Sequence, residues 1–350
     1  MVRTSQFIKK TFIFLNQHRK VLVSFLVFLL GFLIDVLTIR RIDSPFNLFQ
    51  HGFYLLILGI FLVFEMRKQN LWKYHDLVVH FLFGSLLSLS TIFYYTSASL
   101  FSGLLFLLLL LGLMLANEIH QIRAYGLPVR VILFSVCSLL YFCFLYPIIL
   151  GKIGVLPFWL GILTSVFILL LLWFLNFKRK FKLDTKLLLL SLGVHALFVM
   201  AYYTALIPPV PMAIKKMGVY YGVEKKEDQY IGQYLNQDSF FFTKEFKTRP
   251  DDRIFILVSI FSPTHFRDQI HLKWYRYDDQ KGKVLEDNIP LNILGGRDEG
   301  FRGYASKQYY AEGKWEVFVE TSDGRELGRL RFQVVKDSSL IERKFHEDIF

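Results

Sequence analysis

The sequence predicts a protein in two parts, an α-helical polytopic membrane domain of about seven transmembrane helices followed by an all-β sandwich domain. Of its 350 residues, 53% are hydrophobic, and the mean hydropathy is +0.38. Soluble proteins of this size are less apolar. The apolar runs stop at residues 207–211, IPPVP, and beyond them apolar and polar residues alternate with the period of two that is typical of strands.

The net charge of +12 lies entirely in the first part of the chain. Up to residue 206 there are 18 Lys and Arg against 6 Asp and Glu, whereas the remainder carries 23 of each sign. A nucleic-acid-binding domain would place its excess positive charge on the folded, exposed part. The distribution therefore argues against a nucleic-acid partner and indicates membrane topology instead.

Residues 1–20 fit a cytoplasmic segment, either an amphipathic helix at the lipid surface or a frayed basic tail. Residues 21–206 form the predicted membrane domain. Its first apolar run is longer than that of a signal peptide and no cleavage site follows, so we expect it to be retained. Glycines in most spans favour close helix packing. The spans are predicted at 21–38, 46–64, 77–95, 100–116, 129–149, 155–177 and 187–206, of which 46–64 is the weakest.

The basic residues predict the orientation in the membrane. With a cytoplasmic N-terminus, 15 Lys and Arg flank the spans on the cytoplasmic side and 3 on the other, as the positive-inside rule requires. Seven spans then place everything after residue 211 outside the cytoplasm. We expect a multi-pass protein of the cytoplasmic (inner) membrane with an extracytoplasmic, periplasmic C-terminal domain.

The C-terminal part is predicted to comprise a connector (207–230), a sandwich (231–336) and a tail (337–350). Residues 253–261 form a nearly continuous apolar run, as in a central strand, and residues 269–277 alternate. Residues 314–335 predict a hairpin with its turn at 322–325. Short antiparallel strands at this spacing suit an immunoglobulin-like sandwich. The chain's two cysteines, Cys137 and Cys143, lie on different faces of one predicted span, so no disulfide is expected.

The exterior part carries Pro263, Asp268, Ile270, His271, Trp274 and Tyr275; residues 301–307, FRGYASK; residues 313–317, GKWEV; and Gly324, Leu327, Gly328, Phe332 and Val334. In these residues it resembles the bacterial membrane-protein family known as domain of unknown function 2914, DUF2914. The resemblance covers roughly residues 207–336 and implies the sandwich fold but no reaction. One departure is Phe301, where the family pattern has tryptophan.

Ionisable residues in or beside the spans are candidates for function, because burying them in hydrocarbon is costly. Glu65, His80 and Glu118, with His120, fall at the cytoplasmic span ends, where they could form a metal or proton site or simply pair with nearby Arg and Lys in the headgroups. His195 lies near mid-membrane and could relay protons or bond a neighbouring helix. Asp35 is expected to face Arg40 or Arg41.

In the exterior domain, His271, Tyr275, Arg302 and Tyr304 are candidates for an exposed aromatic and basic surface that contacts a glycan or an envelope protein. Trp274 is expected to be core. The sequence carries no zinc spacing, catalytic triad, phosphate loop or dinucleotide fingerprint, so we expect no catalytic residue, metal or cofactor.

The favoured function is therefore non-enzymatic, a membrane-held binding or assembly module of the cell envelope. Two alternatives stay open. A transporter or channel would use the helices, with Asp35 and His195 as its polar residues. An intramembrane enzyme would need Glu65, His80, Glu118 and His120 to converge. The oligomeric state cannot be inferred from the sequence.

Overall fold

The computed structural model describes residues 44–350 except 68–71, 98–103, 119–125, 178–184, 228, 236–243, 264–265, 279, 295–299 and 340. Four of the sequence predictions lie outside the described residues, namely the N-terminal segment 1–20, the first span 21–38, Asp35 and His120.

Within the described residues, six helices precede the strands, and they correspond to the second to seventh predicted spans. Five of them are long and apolar enough to cross a membrane, including the helix at the weakest predicted span, 46–64. The helix that begins at residue 104 is shorter. These helices fit a membrane protein, and the total of seven spans stays a prediction. The helices are α1 Pro45–Met66, α2 His75–Ser97, α3 Leu104–Glu118, α4 Leu127–Leu150, α5 Val155–Phe177 and α6 Thr185–Tyr203.

Glycine allows close helix contact at one of the predicted positions. A Cβ on Gly161 of α5 would lie 2.9 Å from the backbone nitrogen of Cys143 on α4. By contrast, Gly112 and Gly193 have nothing within 4 Å of a built Cβ. The presence of a glycine in a span therefore does not by itself identify a close helix contact.

Eleven strands follow, arranged in three sheets within the described residues, with the orders β4-β10-β9-β6-β7, β1-β5-β8 and β11-β3-β2. The five-stranded sheet and the sheet centred on β5 pack around one apolar core. The strands are β1 Ala213–Tyr220, β2 Gly222–Lys226, β3 Gln229–Leu235, β4 Lys244–Thr248, β5 Ile254–Phe261, β6 Arg267–Asp278, β7 Gly282–Leu294, β8 Phe301–Lys307, β9 Gly313–Thr321, β10 Glu326–Lys336 and β11 Phe345–Ile349.

The core of this sandwich is built by the alternation seen in the sequence. Trp274 is fully buried, as predicted, and it packs with Trp315 from the adjacent strand β9 and with Phe332 from β10. The predicted hairpin is β9–β10, with Trp315 opposite Phe332 in its register. The third sheet lies on the other side of β5, where Leu257 is buried against Tyr220 and Phe350. Burial on both sides explains why β5 reads as a continuous apolar run.

The boundaries of the β region differ from the predicted ones. Strands β1 and β2 lie inside residues 207–230, where we expected a connector, and β11 lies in the expected tail. A register shift between Ile214 and Lys216 breaks the alternation of β1, so a period of two is hard to recognise there. The sheet is not wholly antiparallel either, because β4 pairs with β10 in parallel.

The sandwich is docked on the helices by contacts that include two sets of hydrogen bonds, which together we call the junction. In the α4–α5 turn, the Arg267 N–H donates to the Gly151 carbonyl (2.9 Å), and the Ile153 N–H donates to Asp268 Oδ2 (3.0 Å). The Ile153 side chain is buried in the sandwich core. At the end of α6, the Tyr202 hydroxyl donates to Asp323 Oδ2 (2.8 Å) in the β9–β10 turn.

A candidate binding cleft and the predicted site residues

An open cleft of about 540 Å³ lies at the end of the sandwich opposite the junction. Strand β5 ends near the helices at Phe261, so the loop that precedes β5 is at the far end. Strand β8 runs antiparallel to β5, which brings the loop after β8 to the same end. The cleft is lined by residues from these two loops and from the end of β10, among them Arg249, Asp251, Gln308, Tyr309, Glu312 and Lys336.

One wall of the cleft is held by two arginines that share two aspartates. Arg249 Nε donates to Asp337 Oδ2 (2.7 Å), and Arg343 donates both to Asp337 (3.2 Å) and to Asp252 (2.7 Å). Hydrogen bonds from the Ser339 hydroxyl and backbone, with those from the two arginines, hold the pKa of Asp337 well below its usual value. The wall is therefore cross-linked between segments that are far apart in the chain.

Two adjacent tyrosines beside this wall have different roles. The Tyr310 hydroxyl donates to the Asp252 carbonyl (2.8 Å) and lies 2.7 Å from Thr248 Oγ1, and burial raises its pKa. Tyr309 is 85% exposed. Its ring thus stands at the cleft without contributing to the core.

The four residues predicted for an aromatic and basic surface do not form one surface. His271 and Tyr275 face outward from the five-stranded sheet, where His271 lies 2.9 Å from Asn288 Oδ1 and Tyr275 packs edge-on against Phe318. Arg302 and Tyr304 are on β8, in the other sheet of the sandwich. Tyr304 lies near Tyr230 of the third sheet. Alternation along each strand predicts which residues point outward, but not that the two strands belong to opposite layers.

A buried carboxylate organises the outer face of the five-stranded sheet near Tyr275. The Glu316 side chain is only 1% exposed and accepts hydrogen bonds from Tyr277 (2.8 Å), Lys283 (2.8 Å) and Arg331 (2.7 Å). Burial by itself would raise the pKa of Glu316, but these donors outweigh it and lower the pKa to about 2. The Lys283 ammonium also lies 3.8 Å from the Phe318 ring centre. We interpret this cluster as structural.

The polar residues at the other end of the helices form an ion-pair cluster. Arg130 on α4 donates to Glu65 (2.8 Å) and to Asp76 (2.8 Å), and His75 Nε2 lies 3.5 Å from Glu65. Glu65 therefore pairs across helices with Arg130, which was not among the nearby basic residues, Arg67, Lys68 and Arg123, that the headgroup alternative offered as partners.

The convergence that an intramembrane enzyme would need is not seen in the described part of the chain. Glu65 meets His75 rather than His80, and His80 is partly buried on α2. Glu118 is the last residue of α3, and its side chain is not among those that the structure describes. Among the described residues, no three His, Cys, Asp or Glu side chains are grouped closely enough to hold a metal ion.

His195 bonds α6 to α5. Its Nδ1 lies 2.8 Å from the Ser191 carbonyl, and its Nε2 lies 3.0 Å from Ser165 Oγ. Because a carbonyl oxygen can only accept, Nδ1 carries the proton and Nε2 accepts from the Ser165 hydroxyl. The buried imidazole thus has both nitrogens in hydrogen bonds, which agrees with the helix-bonding alternative for this residue.

The cleft residues were missed in the sequence because each loop is unremarkable on its own. The segments 249–252, RPDD, and 308–312, QYYAE, lie far apart in the chain. Two signals were available, a pair of adjacent tyrosines in a loop and the antiparallel order of the strands beside it. Neither signal is specific without the sheet topology that brings the loops together.

Comparison with known proteins supports the resemblance for the C-terminal region. Residues 267–334 match the family model of a protein of unknown function, DUF2914. The DUF2914 region runs from β6 through β10 and includes the loop that carries Tyr309. It is shorter than the 207–336 expected from the resemblance. A search of curated proteins found no match.

Solved structures give only distant likenesses. An immunoglobulin-like protein from Pseudomonas aeruginosa is 13% identical over 36% of this chain and 98% of its own length, with a TM-score of 0.23. A β-glucosidase from Listeria innocua in complex with gluconolactone is 12% identical over 32% of this chain and 17% of its own length, with a TM-score of 0.19. At these scores the likenesses carry no functional argument.

Proposed function

We propose that this protein is a membrane-held binding module, in which an immunoglobulin-like sandwich outside the cytoplasm presents the cleft to a component of the cell envelope. The observation that carries the proposal is the position of the cleft, at the end of the sandwich opposite the junction. Docking on the helices directs the cleft away from the membrane, and loops at the end of such a sandwich are common binding sites.

The proposal includes the orientation of the chain in the membrane, which the distribution of charge and the connectivity of the helices together support. The α4–α5 turn and the segment after α6 both contact the sandwich. The ion pairs of Glu65, Asp76 and Arg130 lie at the opposite helix ends. The described basic residues at these helix ends, Arg67, Lys73, Arg130 and Lys186, are thus on the side away from the sandwich, as expected for a protein of the inner membrane whose sandwich is extracytoplasmic.

Photocrosslinking in intact cells tests this function directly. A photoreactive phenylalanine derivative at position 309, which keeps an aromatic ring in the cleft, is expected to form a discrete adduct with an envelope component, whereas the same residue at position 322, in the junction, forms none. Absence of any adduct from position 309, or the same adducts from both positions, would contradict the proposed function.

A further inference from the structure

The side chains of the cleft indicate the chemical class of its ligand, an inference that rests on the proposed function. A cavity of about 540 Å³ lies within the range of roughly 300–1,000 Å³ that holds small-molecule ligands. It is too small for a folded domain, but its open side admits a chain that continues beyond it. The cleft therefore suits ligands that place one or a few units inside it.

The charges of the cleft are mixed. Its accessible ionic groups include the exposed Asp251 and Glu312 carboxylates and the exposed Lys336 ammonium, while the carboxylate of Asp337 is occupied by Arg249 and Arg343. A strongly anionic ligand would meet two carboxylates, and a strongly cationic one would meet Lys336. Hydroxyl groups both donate and accept, so a hydroxyl-rich ligand can bond all three groups.

Tyr309 supplies the complementary apolar surface. An exposed tyrosine ring offers a flat apolar face with a polar tip, and this one stands at the cleft with 85% of its surface accessible. The C–H face of a sugar ring can pack on such a platform while its hydroxyls reach the neighbouring polar groups. Gln308 adds an amide whose oxygen accepts from Arg253 (3.0 Å), which leaves its N–H groups as donors.

The walls are already ordered, which lowers the cost of binding. In addition to their bonds with the aspartates, Arg249 donates to the Ile341 carbonyl (2.7 Å) and Arg343 to the Lys247 carbonyl (2.7 Å).

We propose that the cleft binds a neutral, hydroxyl-rich saccharide, with the Tyr309 ring as the stacking platform and Asp251, Glu312 and Lys336 as hydrogen-bonding partners of its hydroxyls.

Titration calorimetry on the full chain in detergent tests the ligand class. The probes are the neutral tetrasaccharides chitotetraose, maltotetraose and cellotetraose, with tetralysine and inorganic polyphosphate as charged probes. We expect at least one tetrasaccharide to bind. Tyr309→Ala should weaken this binding roughly tenfold or more, Tyr309→Phe should retain it, and Tyr304→Ala, an exposed tyrosine outside the cleft, should leave it unchanged.

The inference would be overturned if no tetrasaccharide binds, or if saccharide binding is not weakened by Tyr309→Ala. Preferential binding of tetralysine or polyphosphate would also overturn it, but would leave the proposed function standing with another ligand. Failure of the proposed function is a different result, the absence of an adduct from position 309 in cells.

Discussion

Replacing Glu316 by glutamine should destabilise the sandwich in a pH-dependent way. The folded protein lowers the pKa of this carboxyl from its ordinary 4.5 to about 2. Each unit of pKa difference corresponds to about 1.4 kcal/mol, so the ionised carboxylate contributes about 3 kcal/mol to the free energy of unfolding at neutral pH. Glutamine keeps the shape of the side chain but removes the charge that Tyr277, Lys283 and Arg331 bond.

The sign of the pH dependence follows from the lowered pKa. The contribution is complete above about pH 4.5, where the carboxyl is ionised in both the folded and the unfolded chain. It is lost as the pH falls towards about 2, where the folded protein also becomes protonated. Wild-type protein should therefore lose stability between these two pH values, whereas Glu316→Gln should lose less over the same interval.

Hydrogen exchange of the full chain in detergent measures this effect in β9 and β10, where exchange requires the sandwich to open. At pH 7, Glu316→Gln should accelerate the slowest exchange by roughly 100-fold, the equivalent of about 3 kcal/mol. Tyr277→Phe removes one donor and should have a smaller effect, and Glu312→Gln, an exposed control, should have none. Unchanged exchange in Glu316→Gln, or an undiminished loss of stability below pH 4.5, would refute the reasoning.

Three further predictions concern the helices, the junction and the topology. Gly161→Ala should lower the free energy of unfolding by about 1–3 kcal/mol through overpacking. Gly193 has open space around it, so Gly193→Ala should be neutral or stabilising. Equal effects of the two substitutions would contradict the packing argument. Asp268→Ala removes the acceptor of the Ile153 N–H and should increase hydrogen exchange in the α4–α5 turn, which Gln269→Ala should not do. A single cysteine at Glu312, in a chain without the two native cysteines, should react with an impermeant thiol reagent once the outer barrier of the cell is opened; reaction only after lysis would place the sandwich in the cytosol.

The sequence predicts the individual elements well, because their patterns are local. Trp274 alternates with His271 and Tyr275, and this alone predicts that the tryptophan points into the core. The predicted spans agree closely with the six described helices, since a long apolar run favours helix in hydrocarbon whatever surrounds it. The DUF2914 resemblance likewise rests on contiguous segments and is confirmed for residues 267–334.

What the sequence does not predict is the arrangement of the elements relative to one another. Glu65 pairs with Arg130, which is 65 positions away, and no charge pattern selects that partner over the nearer Arg67. The third sheet joins β3 to β11, whose residues are among the last in the chain. The cleft depends on three distant segments meeting at one end of the sandwich, so its residues could not be assembled from local patterns.

The junction and the cleft together explain why the sandwich is docked rather than tethered. Strand β5 has 8 residues, so it spans about 26 Å between the helix end and the cleft end. On a flexible tether the cleft would move through a large volume and would have no fixed position relative to the helices. Two separate contacts, at the α4–α5 turn and at Tyr202, oppose both tilting and rotation. If the cleft binds as we propose, this arrangement suits a ligand held at a set distance from the membrane, such as a component of a layered envelope, better than one captured by diffusion in free solution.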